Sequence, residues 1–258
     1  GYGGVLRVIW KGDDNFPYRS ENAKIRISQL DGTSGSLDEA TRPALTGATQ
    51  MDESDQTFIL GRMFFVQLDG TNGYFRSERN FSTPNSFTVE AWVNLNQIKG
   101  DGTEPGIVAT SSGSASDEEG GWILYLKDGK YPAFRVRKAG GADGEYIGDI
   151  SSPVALSAYG TSATLNENHA SYWTHLAGVV SNNTVYLYVD GEEVARYENN
   201  SAVNVRPMNT KMPIWVGVNP NNGMNADDYF YGGIKEVKVW RHAMPQAELR
   251  KRISGVYD

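Results

Sequence analysis

The sequence predicts an all-β protein: two antiparallel sheets stacked as a sandwich, with one short C-terminal helix. Three observations carry that expectation. Apolar residues recur at every second position in short runs. Asp-Gly, Asn-Asn and Gly-Gly pairs separate those runs. One segment alone carries a helical pattern. Composition agrees, since 29 Gly, 14 Tyr and 6 Trp among 258 residues are the material of tight turns and strands. A parallel α/β fold would need helices of about ten or more residues between strands, and the sequence lacks them. It also shows no internal repeat.

In order along the chain, residues 1–60 read as a β-rich N-terminal extension or the tail of a preceding module. Runs 5–10 and 24–30 are strand-like, with Lys24, Ile25, Arg26 and Ile27 alternating. Residues 31–57 are polar and without period, as in a long surface loop. From 61 to 258 the pattern is regular and reads as one domain. Run 63–68 ends at the turn Asp69-Gly70, and Tyr74-Phe75 follows. Run 86–95 (SFTVEAWVNL) puts Phe87, Val89, Ala91 and Val93 on one face, with Glu90 and Trp92 on the other. A short strand covers 106–110. Runs 122–127 and 133–138 flank Asp128-Gly129 as a hairpin. Run 173–181 turns at Asn182-Asn183 into 184–189, where Val185, Leu187 and Val189 should face the core. Asp190-Gly191 returns the chain as 193–198. Runs 214–218 and 233–240 complete the strands, and Gly232-Gly233 permits close backbone approach at the sandwich edge. Residues 245–253 suit a helix, with Pro245 in the first turn and Arg250, Lys251 and Arg252 at the C-terminal end of its dipole.

Charge and composition exclude several functions. With 24 basic and 31 acidic residues the net charge is −7, which argues against nucleic acid as a partner. The absence of Cys excludes disulfides, thiolate metal sites and a cysteine nucleophile. No run approaches the ~18 apolar residues of a membrane span. The chain begins at Gly1, as expected of a processed or excised segment.

The ordered pieces resemble a known family. VQLDGTNGYF (66–75), FTVEAWVNL (87–95), WTHLAGV (173–179) before VYLYVDG (185–191), and GIKEVKVW (233–240) followed by a small helix are similar to laminin-G-like jelly rolls. These belong to the concanavalin A-like lectin/glucanase and pentraxin group. The resemblance covers about residues 62–253 and implies a jelly-roll sandwich in a secreted or cell-surface recognition module. It also implies a structural Ca²⁺ near one end, for which Asp69, Asn72, Asp227 and Asp228 supply loop oxygens. One departure stands out: Lys235 occupies a strand position that is commonly acidic in the family.

A sugar offers hydroxyls and a flat C–H face, so its sites pair aromatic rings with amide and carboxylate acceptors. The candidates are Trp122, Tyr131, Asn219, Asn221, Asn222, Tyr229 and Tyr231, with a glycan or glycoprotein as the partner. The glucanase relatives carry E-x-D-x-E on a strand, and this chain has no such triplet; Glu90 and Glu236 look isolated. The histidines (His169, His175, His242) read as structural or surface residues, so no catalytic residue is assigned. Two other functions compete with sugar binding. One is a protein–protein adhesion or spacer module among further domains of a larger toxin or adhesin. The other is a divergent polysaccharide hydrolase. Sequons at Asn80, Asn182 and Asn199 matter only in a glycosylating host.

Overall fold

The computed structural model describes residues 6–11, 25–28, 57–60, 66–111, 120–138, 146–158, 173–199 and 211–254. Their strands form two sheets. The first runs β13 (Glu192–Glu198), β12 (Thr184–Val189), β11 (Trp173–Ser181), β6 (Phe87–Leu95), β15 (Tyr231–Trp240), β1 (Leu6–Lys11) and β3 (Thr57–Leu60). Its eighth strand, β4 (Val66–Asp69), pairs with the first half of β15. The second runs β10 (Tyr146–Ser151), β9 (Tyr131–Arg137), β8 (Gly120–Lys127), β7 (Gly106–Ser111), β14 (Met212–Val216), β5 (Tyr74–Phe81) and β2 (Ile25–Ser28). Pairing is antiparallel as expected, except that β1 lies parallel to β15. Strand β10 carries little apolar periodicity and was not expected from the sequence. The acidic runs Asp52/Glu53/Asp55 and Asp117/Glu118/Glu119, together with His169, lie outside the described residues.

The period-two reading of β6 holds. Phe87, Val89, Ala91 and Val93 enter the core between the sheets, facing Trp122, Leu124, Phe134 and Val136 from the second sheet, with Val185 and Leu187 from β12 beside them. The Asp190-Gly191 turn has φ of 49° and 77°, the left-handed backbone that a tight hairpin demands. Gly232 is not at an edge. It sits between β15 and β6, where an added Cβ would lie 2.0 Å from the Asn94 carbonyl oxygen.

Both sheets also bury apolar side chains on their outer faces. Helix α1 (Gln246–Ser254), through Leu249, and Met244 just before it cover Ala177, Val179, Tyr188 and Trp240 of the first sheet. On the second sheet, Ala109, Ile123, Tyr125, Ala133 and Trp215 pack with Val218 and Tyr229, which bound the loop after β14.

A bulge in β15 corrects another expectation. Pairing steps from Lys235↔Trp92 to Lys238↔Glu90, so β15 has one residue more than β6, and Glu236 takes φ 50°. The extra residue flips the alternation: Ile234, Val237 and Val239 all reach the core. Glu236, which looked isolated in the sequence, contacts Lys238 at 3.3 Å, and Lys238 is only 6% exposed.

Gly178 on β11 makes room for Phe134, because a Cβ there would fall 2.6 Å from the ring. Gly178→Ala should therefore destabilise the fold by about 1–3 kcal/mol through overpacking, read as a lower urea midpoint with unchanged m-value.

Candidate ligand-binding site

The loop after β14 is built from side chains that hold their own backbone. Asn219, 1% exposed, accepts from the Asn221 N–H at 3.2 Å and donates to the Glu104 carbonyl at 3.2 Å. This starts a 3-10 turn over Pro220–Asn222, closed by Gly223. A second turn, Ala226–Asp228, follows. There the Asp228 carboxylate accepts from the Asn225 N–H at 2.8 Å and the Asn222 amide at 3.2 Å. Burial raises the Asp228 pKa against those two hydrogen bonds. Tyr229 then packs 6.3 Å from Tyr74, which lies 5.5 Å from Trp215. The Asn-rich stretch is thus an ordered cover on the second sheet.

Where the cover ends, a shallow cleft opens to solvent, lined by Gly121, Trp122, Ile123, Arg135, Arg137 and Tyr146 of the sheet and by Asn221 and Asn222 of the cover. Arg135 forms its rear wall. Its guanidinium grips Glu104 bidentately at 2.7 and 2.9 Å and reaches Asp149 at 3.0 Å. It also donates to the Tyr125 hydroxyl at 3.0 Å, and that hydroxyl donates to Asp149 at 2.9 Å. Burial alone would discharge Arg135 and Glu104, but their mutual hydrogen bonds win: the guanidinium is held more basic and the carboxyl more acidic than usual. Burial, with the Asp149 and Glu104 charges, pushes the Tyr125 phenol up.

Arg137 differs. It is 7% exposed, lies 5.8 Å from the Tyr146 ring, and its buried Nη2 meets no acceptor among the described residues. The buried Oδ1 of Asn221 likewise has no donor among them. Behind the cleft's lining therefore lie one unpaired cationic donor and one unpaired acceptor, both shielded from solvent, beside an aromatic ring.

The candidate sugar contacts fall in different places. Asn221 and Asn222 line the cleft. Trp122 also lines the cleft, while its side chain packs 5.6 Å from Phe87, donates to Thr83 at 3.2 Å, and is 2% exposed. Tyr229 and Asn219 are buried parts of the cover. Tyr131 begins β9 under the Lys130 ammonium. That is about 20 Å along the strand from Arg137 at ~3.3 Å per residue. Tyr231 pairs with Asp69 on β4. Arg135, Arg137 and Tyr146 escaped the sequence reading. The signal available was that Phe134 and Val136 point inward, which obliges Arg135 and Arg137 to share the outward face.

The calcium candidates do converge, but around a lysine. Lys99 donates to the carbonyls of Gly70 and Ala226, bridging the two turns that hold the candidate ligands. Asp227, Asp228 and Asp69 all act on its charge, yet burial still pushes the ammonium below the ordinary lysine value. The Asp69 carboxylate accepts from the Thr71, Asn72 and Gly73 N–H groups at 2.8, 3.1 and 3.1 Å. A divalent ion needs six to eight free oxygens. Here an ammonium holds two of the loop carbonyls and backbone N–H groups hold one oxygen of Asp69, so the turns offer fewer free oxygens than their sequence suggests.

Glu90 is not isolated. Its carboxylate, 2% exposed, meets His175 Nε2 at 2.9 Å, the Trp240 indole N–H at 3.0 Å and Arg252 at 2.7 Å. Burial opposes its ionisation, but His175, Lys238 and Arg252 together hold its pKa near 2. His175 is also 2% exposed, and its Nδ1 meets no partner among the described residues. Among the described residues nothing extends the pair into a nucleophilic triad; through Arg252, Glu90 tethers helix α1 to the first sheet.

A family model described as the concanavalin A-like lectin/glucanases superfamily (Laminin_G_3) matches residues 69–250. Among solved structures, the botulinum neurotoxin serotype D binding domain aligns with TM-score 0.55 and 11% identity, covering 98% of this chain and 51% of that one. The binding domain of Paraclostridial Mosquitocidal Protein 1 gives 0.53 and 17%, covering 92% and 52%. A heptameric SAP-like pentraxin from Limulus polyphemus gives 0.48 and 13%, covering 70% and 75%. The chain spans about half the length of both toxin domains, and at these identities the likeness is one of fold. No curated protein sequence matches it.

Two measurements check this geometry. The melting temperature should be the same in EDTA and in calcium, whereas Lys99→Met should cost about 1–2 kcal/mol by removing charge-assisted bonds between the turns. A calcium-induced rise in melting temperature would contradict that placement of Lys99. Acid unfolding supplies the second. Folded Glu90 stays ionised down to about pH 2 against an ordinary 4.5, so its contribution is complete above pH 4.5 and fades as pH falls toward 2. Glu90→Gln should flatten the stability slope across that window.

Proposed function

Because the chain belongs to the concanavalin A-like lectin/glucanases superfamily, we propose that it is a non-catalytic carbohydrate-recognition module acting outside the cell. The cleft between the outer face of the second sheet and its loop cover is its binding site. The observation that carries this reading is the set of unpaired polar atoms there, Arg137 Nη2 and Asn221 Oδ1, beside Tyr146. Saccharides need that combination of hydroxyl partners and an aromatic wall. The mechanism is rigid complementarity. The Arg135–Glu104–Asp149 network and the hydrogen-bonded loop keep the wall in place before ligand arrives, which lowers the ordering cost of binding.

Catalysis has weak support. Hydrolysis of a glycosidic bond uses two carboxyls flanking the bond. The residues lining the cleft include no carboxylate, and Glu104 and Asp149 beside it are both tied to Arg135. Two of the structural neighbours are named as toxin binding domains, which is compatible with a recognition module in a larger secreted protein.

An immobilised glycan panel tests the proposal. Retention of at least one glycan class is expected, and Tyr146→Ala should weaken it roughly tenfold, the loss of about 1.4 kcal/mol. Absence of retention by every glycan, or retention indifferent to Tyr146→Ala and Asn222→Ala, would sink it.

A further inference from the structure

We infer that the saccharide recognised in this cleft is acidic: its carboxylate pairs with Arg137, while neighbouring hydroxyls engage Asn221 and Asn222. The inference rests on the carbohydrate reading above and adds ligand charge. Two guanidiniums line the cleft, and they are not equivalent. Arg135 is matched internally by Glu104 and Asp149, 2.7 and 3.0 Å away. Arg137 is a buried positive charge with no ion-pair partner among the described residues, and its shielded Nη2 has no acceptor there. An unpaired buried charge is costly to hold, and a planar anion that enters the cleft and reaches the guanidinium relieves that cost. A carboxylate fits the guanidinium edge better than a neutral hydroxyl, because the charge-assisted bond is shorter and roughly twice as strong.

The surroundings narrow the chemistry further. Asn222 already donates to the Asp228 carboxylate at 3.2 Å and approaches Glu104 at 3.5 Å. Its remaining oxygen and the unpaired Asn221 oxygen are therefore acceptors for hydroxyls. One anionic point flanked by hydroxyl acceptors and a ring describes a sugar acid more closely than a peptide carboxylate or a free inorganic anion. The chain's net charge of −7 repels anions at long range, so attraction must come from this local guanidinium.

Calorimetric titration with matched ligand pairs decides the matter. The probes are sialyllactose against lactose, and oligogalacturonate against its methyl ester. The expected result is that at least one acidic probe binds ten or more times tighter than its neutral partner, with affinity falling as salt rises. Arg137→Gln should erase that difference while circular dichroism stays unchanged. The esterified ligand makes the same comparison on the unaltered protein, should the variant fail to fold. Equal binding of acidic and neutral partners overturns the acidic inference and leaves carbohydrate recognition standing. Binding of neither, together with an empty glycan panel, overturns both. Preference for the acidic probe that survives Arg137→Gln in a folded variant also overturns the assignment to Arg137.

Discussion

Each sheet must bury apolar side chains on both of its faces, and the rest of the molecule follows from that constraint. The inner faces solve it mutually through the β6, β8, β9 and β12 core. The outer faces need separate covers. Helix α1 and Met244 just before it close the first, and the Val218–Tyr229 hairpin-like excursion closes the second. Toward the end of β9, polar residues replace apolar ones along the same outward register: Ala133, then Arg135, then Arg137.

The two covers are fastened by different physics. Helix α1 has one buried leucine, too little apolar area to hold nine residues by burial alone. The Glu90 carboxylate, sealed under it and gripped by Arg252, His175 and the Trp240 indole, supplies the remainder as a desolvated network. The loop cover is held mainly by hydrogen bonds to backbone groups. Asn219 and Asp228 hold it through backbone donors and acceptors, and Lys99 ties its second turn to the Asp69-Gly70 turn. An internal ammonium thus links two loops with acidic rims, removing the mutual repulsion that Asp69, Asp227 and Asp228 would otherwise feel.

The β15 bulge connects fold to surface chemistry. Without the extra residue at Glu236, Lys235 and Val237 would share a face, and Val237 would leave the core. With it, Lys238 enters the Glu90 network, while Lys235 stacks over Trp173 and Trp92 at 4.3 and 5.6 Å. The family-atypical lysine at position 235 is therefore accommodated by two indole faces that stabilise a cation.

What the linear chain determined was whatever depends on local periodicity. The inward set Phe87, Val89, Ala91, Val93, the Asp190-Gly191 turn, the helix after Pro245 and the sandwich class all follow from side-chain alternation and turn stereochemistry, which act over a few residues. The candidate site was legible in Trp122, Asn221 and Asn222, which line the cleft. That the Trp122 indole is buried against Phe87 follows from the strand register, not from its place after a polar loop. Arg137, Tyr146, Glu104 and Asp149 come from separate segments, and Glu90, His175 and Arg252 lie up to 162 positions apart. Tertiary structure alone decided which charges are matched and which is left open. Charge pairing depends on through-space distance and burial, and neither quantity is written in the order of residues.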